Sequence, residues 1–146
     1  MIRKYQSEDK DAVMALIDLN IPEYFDESER QDFEHYLEKE REDYFVIEQD
    51  GKIVASGGIN YFRDEHTARI SWDMVHPDHH GKGLGRQLVD HRLAVIKSTP
   101  GISKVIVRTS QLAHNFYAKS GFVLDEVKED FWAPGFDLYL MSRAVN

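Results

Sequence analysis

The chain has 146 residues, 42% hydrophobic and 30% charged, with a formal net charge of −8, which predicts one soluble globular domain over 1–146. It has no cysteine, which excludes disulfide staples, thiolate zinc sites and a cysteine nucleophile. No apolar run is long enough to span a bilayer, none follows Met1-Ile2-Arg3-Lys4, and no stripe of Lys and Arg offsets the acid, so the expectation is a cytoplasmic protein bound to neither membrane nor nucleic acid.

Ile2, Lys4 and Tyr5 mark a short first strand. Ser7, Glu8 and Asp9 open a helix whose apolar positions are Val13, Leu16 and Ile17, ending near Asn20. After the break at Ile21-Pro22, Ser28-Glu29-Arg30-Gln31 reads as a capping box before a second helix with Phe33, Tyr36 and Leu37 on its buried face. Tyr44–Ile47 and Lys52–Ala55 flank Asp50-Gly51, the favoured chemistry of a tight hairpin turn. Gly57-Gly58 in the following run points to a bulge or a close backbone approach. Ala68–Val75 alternates Ile70, Trp72 and Met74 against Arg69, Ser71 and Asp73, predicting a strand with those two sets on opposite faces. A helix over Leu84–Lys97, a strand over Lys104–Thr109, a short helix over Ala113–Lys119 and strands at Phe122–Val127 and Phe136–Met141 complete the order βααβββαβαββ, an α/β fold with a mixed central sheet.

The most informative segment is Val75-His76-Pro77-Asp78-His79-His80-Gly81-Lys82-Gly83-Leu84-Gly85-Arg86, where a strand end, a glycine turn and a helix start fall within twelve residues. Free backbone N–H groups and the positive end of the helix dipole favour an anion there, and a phosphate or pyrophosphate is the natural guest. A Walker A loop is excluded because Lys82 is followed by Gly83 rather than Ser or Thr. A dinucleotide fingerprint is excluded because Arg86 stands where its third glycine would fall.

These residues resemble the GNAT-type acyl-CoA N-acyltransferases, whose pyrophosphate signature is matched by His80-Gly81-Lys82-Gly83-Leu84-Gly85, with His80 in place of the usual Gln or Arg. Val75-His76-Pro77 and Asn115-Phe116-Tyr117-Ala118-Lys119-Ser120-Gly121-Phe122 resemble further segments of that family. The resemblance is close over Ala68 to Phe122. It implies that the amides from Gly81 to Arg86 hold the pyrophosphate of acetyl-CoA and that Asp73, Met74 and Val75 pair through their backbone with its pantetheine arm. An N–H near Met74 or Val75 would polarise the thioester carbonyl. Tyr117 stands where relatives place the general acid for the departing thiolate, with the alternative that it only packs beside Phe116 and Phe122. Ser110 and Asn115 are further candidates for contact with CoA, Asn115 equally for capping its helix.

The general base is not legible, because the family's glutamate positions are occupied by Arg69 and Ile106; Asp73, Glu65 and His76 are the nearest titratable groups. Two other readings compete with acetyl transfer to a primary amine: a non-catalytic acyl-CoA-binding module of the same fold, and a metal-dependent hydrolase built on His76, His79 and His80. No metal is expected on the leading reading. Residues 1–50 carry 16 acidic and 6 basic side chains, and Glu23, Asp26, Glu27 and Glu29 surround Tyr24 and Phe25. The resemblance places this segment on the acceptor side, so the expected acceptor is a cationic small molecule or peptide. Oligomeric state, a homodimer included, stays open.

Overall fold

Alternation along the strands sorts the apolar side chains onto the two faces of one sheet, and separate helices cover each face. The computed structural model describes residues 1–146. In chain order it contains β1 (Ile2–Lys4), α1 (Lys10–Leu19), α2 (Glu29–His35), β2 (Asp43–Gln49), β3 (Lys52–Phe62), β4 (Thr67–Val75), α3 (Leu84–Lys97), β5 (Lys104–Thr109), α4 (His114–Ala118), β6 (Val123–Ala133) and β7 (Phe136–Ala144). The strands lie in the order β1-β2-β3-β4-β5-β7-β6. All neighbours are antiparallel except β4 and β5, whose parallel pairing is bridged by α3. No helix is long and apolar enough to cross a membrane.

On one face Ala68, Ile70, Val105 and Val107 pack against Leu84, Leu88, Val89 and Ile96 of α3. On the other, Tyr44, Val46 and Met74 pack against Val13, Leu16 and Ile17 of α1 and Phe33 of α2. Each fully buried aliphatic side chain contributes roughly 1.5–3 kcal/mol relative to exposure. At the hairpin, Asp50 and Gly51 both have positive φ, 53° and 77°, as a type I′ turn requires.

Three local expectations are corrected. Ser28 does not cap α2 with its side chain; instead it donates from its N–H and Oγ to Asp26, whose own N–H donates to Glu29 Oε2 at 2.9 Å. The reciprocal capping arrangement therefore starts two residues earlier, at Asp26. Strand β6 continues past Val127 to Ala133, because an edge strand needs hydrogen bonds to β7 alone and tolerates charged, exposed side chains along its length.

The third correction concerns β4. Trp72 has φ +55°, a left-handed conformation that bulky residues seldom adopt, and the pairing with β3 slips between Ser56 and Gly58. The slip places the extra residue in β4, opposite the glycines, and breaks the predicted alternation. Ile70 faces α3, whereas Trp72 joins Met74 on the face of α1 and α2, and Asp73 turns toward α3. Gly57-Gly58 supplies the close approach. A Cβ at Gly57 would lie 2.8 Å from the Arg92 guanidinium, and one at Gly58 would meet the hydroxyl of Tyr36 and the ring of Tyr44. Gly58→Ala is expected to destabilise the protein by about 1–3 kcal/mol, read as a lowered denaturant midpoint at unchanged m value.

Candidate functional site

The Trp72 bulge separates two strands that begin as neighbours. β4 and β5 pair only from Thr67–Lys104 to Ile70–Val107, and beyond that point β5 keeps its pairing with β7 to Thr109 while residues 71–75 have no partner on the β5 side. The gap opens into a cleft of about 900 Å³ lined by Asp73, Met74 and Val75, by Ser110 and by Tyr117. Backbone groups left unpaired along a strand edge accept an extended amide-bearing chain as an added strand.

At the end of β4 the chain turns through Pro77–His79 into Gly81, Lys82 and Gly83 before α3. Gly81 and Gly83 have φ of 79° and 80°, and a Cβ on either would meet nothing within 4 Å. What glycine provides here is therefore the left-handed backbone together with open space above it. No side chain caps α3 and no acidic residue lies in its first turn, so the N-terminal amides and the positive end of the dipole face the cleft unneutralised. Gly85 serves a different purpose: a Cβ there would lie 3.0 Å from the Phe116 ring, so its absence lets α4 pack against α3. His80 is positioned by donating from Nε2 to Val75 O at 2.9 Å, and its ring stands edge-on to Tyr24.

Beneath the gap lies a buried polar network. Arg92, fully buried on α3, donates from both terminal nitrogens to Asp73, at 2.5 and 2.8 Å, and from Nη1 to Gly58 O. Burial works against its charge, and the Asp73 carboxylate outweighs that effect and raises its pKa. Tyr117 donates to Asp73 Oδ2 at 2.5 Å. Burial first, and the Asp73 charge second, push the phenol well above its ordinary range, so it keeps its proton at neutral pH. The network was missed in the sequence, although Arg92 stands four residues after Leu88 and four before Ile96, on the apolar side of its helix.

Of the predicted cofactor residues, Asp73, Met74, Val75, His80, Gly81, Gly83, Leu84, Gly85, Arg86 and Ser110 line the cleft together with Tyr117. Lys82 and Asn115 are exposed and do not. Asn115 does not cap α4 either. That region is closed by Ser110, whose O accepts from the N–H groups of Ala113 and His114 and whose Oγ accepts from Leu112. Among the base candidates, Glu65 and His76 lie outside the cleft wall and Asp73 is held by Arg92 and Tyr117. Of the other carboxyls on the wall, Glu29 is 7% exposed, and burial raises its pKa to about 7. His76 accepts the Asp78 N–H and His80 is bound to Val75, and no group of three His, Cys, Asp or Glu side chains is arranged to hold a metal ion.

The sheet thus splays beside a glycine turn, and a helix N-terminus and an open strand edge meet in one cleft. Residues 11–122 match the acetyltransferase (GNAT) family. The chain belongs to that family. An amino-acid acetyltransferase of Pasteurella multocida is 32% identical over 93 residues, covering 64% of this chain and 21% of that protein, so the chain spans about a fifth of the relative's length. Among solved structures, the ribosomal-protein-S18-alanine N-acetyltransferase of Escherichia coli superposes with a TM-score of 0.82 at 18% identity, over 100% of this chain and 94% of the other. An aminoglycoside 6'-N-acetyltransferase complexed with coenzyme A superposes with a TM-score of 0.79 at 15% identity, over 100% and 97%. At these identities the superpositions establish the shared fold.

Two outcomes follow from the site. Gly83→Val, which forces a branched side chain into a left-handed position and into the open space above the turn, should weaken CoA binding by roughly tenfold or more in calorimetric titration while the protein stays folded. Glu29 lowers stability as pH rises. Below pH 4.5, its ordinary pKa, it is protonated in both states; between there and about pH 7 only the unfolded chain releases the proton, and above that the full cost of burying the charge is present. Glu29→Gln should therefore raise Tm by about 3 °C or more at pH 8 and leave it nearly unchanged at pH 4.

Proposed function

We propose that the chain transfers the acetyl group of acetyl-CoA directly to a primary amine in a ternary complex. One observation supports this reading: the glycine turn, the unpaired edge of β4 and Tyr117 all border one continuous cleft. The amides from Gly81 to Arg86 hold the pyrophosphate. The edge from Asp73 to Val75 takes the pantetheine arm, and an N–H at Met74 or Val75 draws charge onto the thioester oxygen as the amine attacks. Collapse of the tetrahedral intermediate expels the CoA thiolate.

Tyr117 serves that sulfur. Its proton is held by Asp73, but a thiolate, with a free-thiol pKa of about 8.5, is a far stronger acceptor than a carboxylate, so the hydroxyl turns from Asp73 to sulfur as negative charge develops there. The acceptor arrives as a cationic amine, drawn by the acidic segment that contains Glu23, Asp26 and Glu27. Glu29, the member of that segment on the cleft wall, takes up its proton directly or through water.

Tyr117→Phe removes a single hydroxyl and leaves the Asp73–Arg92 pair in place. It is expected to lower kcat by roughly 10²-fold with CoA affinity nearly unchanged, measured as CoA release across a panel of amines. Acceptor KM should rise with added salt while acetyl-CoA KM changes less. CoA binding without transfer to any amine would favour the non-catalytic module, a reading supported by Arg69 and Ile106 at the positions where the resemblance places glutamates.

A further inference from the structure

Two guanidinium groups on the cleft wall have no counter-ion. Arg69 on β4 pairs in register with Ile106 on β5, so Arg108, two residues further along, projects from the same face of the sheet. This is the face toward α2, opposite the Ile70 and Val107 side chains packed under α3. Both arginines are half-buried and both line the cleft. Arg3, Arg30, Arg86 and Arg92 each hold a carboxylate. Arg69 and Arg108 make neither an ion pair nor a side-chain hydrogen bond and rest on aromatic rings instead, Arg69 at 5.0 Å from Phe62 and Arg108 at 5.2 Å from Trp132 and 5.6 Å from Phe131.

The arrangement costs the free protein. Burial, and then the charge of Arg69, lower the proton affinity of Arg108. The carboxylates that share the cleft do not relieve the repulsion. Asp73 is held by Arg92 and Tyr117, Glu29 accepts the Asp26 N–H, and Glu42 accepts from Asn60 and from the Tyr61 N–H. Asp32 and Glu40 also line the cleft, and none of the five lies within 4.0 Å of either guanidinium. Tyr36 and Ser71 line the same cleft, and their hydroxyl groups are able to donate to an anion there. Two preorganised forks, stacked so that little side-chain freedom is left to lose, beside two hydroxyl donors, form a receptor for a planar anion.

We propose that Arg69 and Arg108 bind a carboxylate of the acceptor, so that the amine acetylated belongs to an amino acid or to another amine bearing a carboxylate. The inference rests on the acetyl-transfer reading but replaces its net-cationic acceptor with one whose carboxylate offsets the charge of the reacting amine. A singly charged carboxylate suits this wall better than a phosphate dianion, because Asp32, Glu40 and Glu42 border the same space.

The test is calorimetric titration of CoA-loaded protein with the twenty L-amino acids, β-alanine and γ-aminobutyrate, each beside its carboxamide and its aminophosphonate analogue, followed by acetyl-transfer assays on the same set. At least one acid should bind roughly 30-fold tighter than its carboxamide. Arg69→Gln and Arg108→Gln should each shrink that ratio to within about threefold at unchanged CoA affinity, and Arg108→Lys should recover part of it. Thermal melts identify a variant that fails to fold, in which case the variant of the other arginine decides. Acids that bind no better than their carboxamides, no binding by any acid, tighter binding of aminophosphonates, or variants that weaken acid and carboxamide alike would overturn the clamp. Acid binding without acetyl transfer would leave the clamp standing and remove the proposed reaction. Should CoA itself fail to bind, the same acids and carboxamides are titrated into the free protein, where the acid preference decides the clamp alone.

Discussion

The Asp73 carboxylate ties the molecule together. It stands on β4, is clamped by a guanidinium from α3 and accepts a phenol from α4, so three elements distant in sequence converge on two oxygen atoms. A buried ion pair of this kind gains little over a well-packed apolar core, because desolvating the charges offsets most of their attraction. Loss of one partner is another matter, since it strands the other charge in the interior. The network therefore defines which arrangement of α3, β4 and α4 is tolerated, and with it the position of Tyr117 relative to the cleft.

That carboxylate reaches Arg92 only because the strand is irregular. With regular alternation from Ile70, Asp73 would face α2 and Trp72 would face α3; the left-handed residue at Trp72 exchanges them. Trp72 then packs with Phe25, Phe33 and Tyr36 under the acidic helices. The same irregularity ends the pairing with β5 at Ile70 and Val107. One backbone kink thus sets the ion pair, the aromatic cluster beneath α2 and the open strand edge, and the glycines opposite cannot carry side chains without displacing Arg92, Tyr36 or Tyr44.

Features governed by neighbours in sequence were legible before the structure. The helix over Leu84–Lys97 and the strand over Lys104–Thr109 follow from spacing alone, and the turn at Gly81 and Gly83 from residue types that permit positive φ. Tyr117 stood out through its resemblance to a family segment in the company of Phe116, Gly121 and Phe122, and the structure puts it on the cleft wall. The irregularity itself was signalled by Gly57-Gly58, but its extra residue in β4 was not, because a tryptophan gives no sign that it will occupy a left-handed conformation. Nor was the setting of Glu29, which looks like any solvated acidic residue until its burial against the cleft is seen. Nothing in the sequence marks Arg69 and Arg108 as a pair; their proximity and lack of carboxylate partners are a property of three-dimensional placement.

The short contact between β4 and β5 also bears on how the molecule bends. Four paired positions join the half-sheet β1 to β4 to the half-sheet β5 to β7, with α3 lying behind the seam. The seam lacks a row of rungs on its open side. An extended ligand whose amides completed those rungs would act as a structural strut as well as a reactant, stiffening the seam for as long as it stayed.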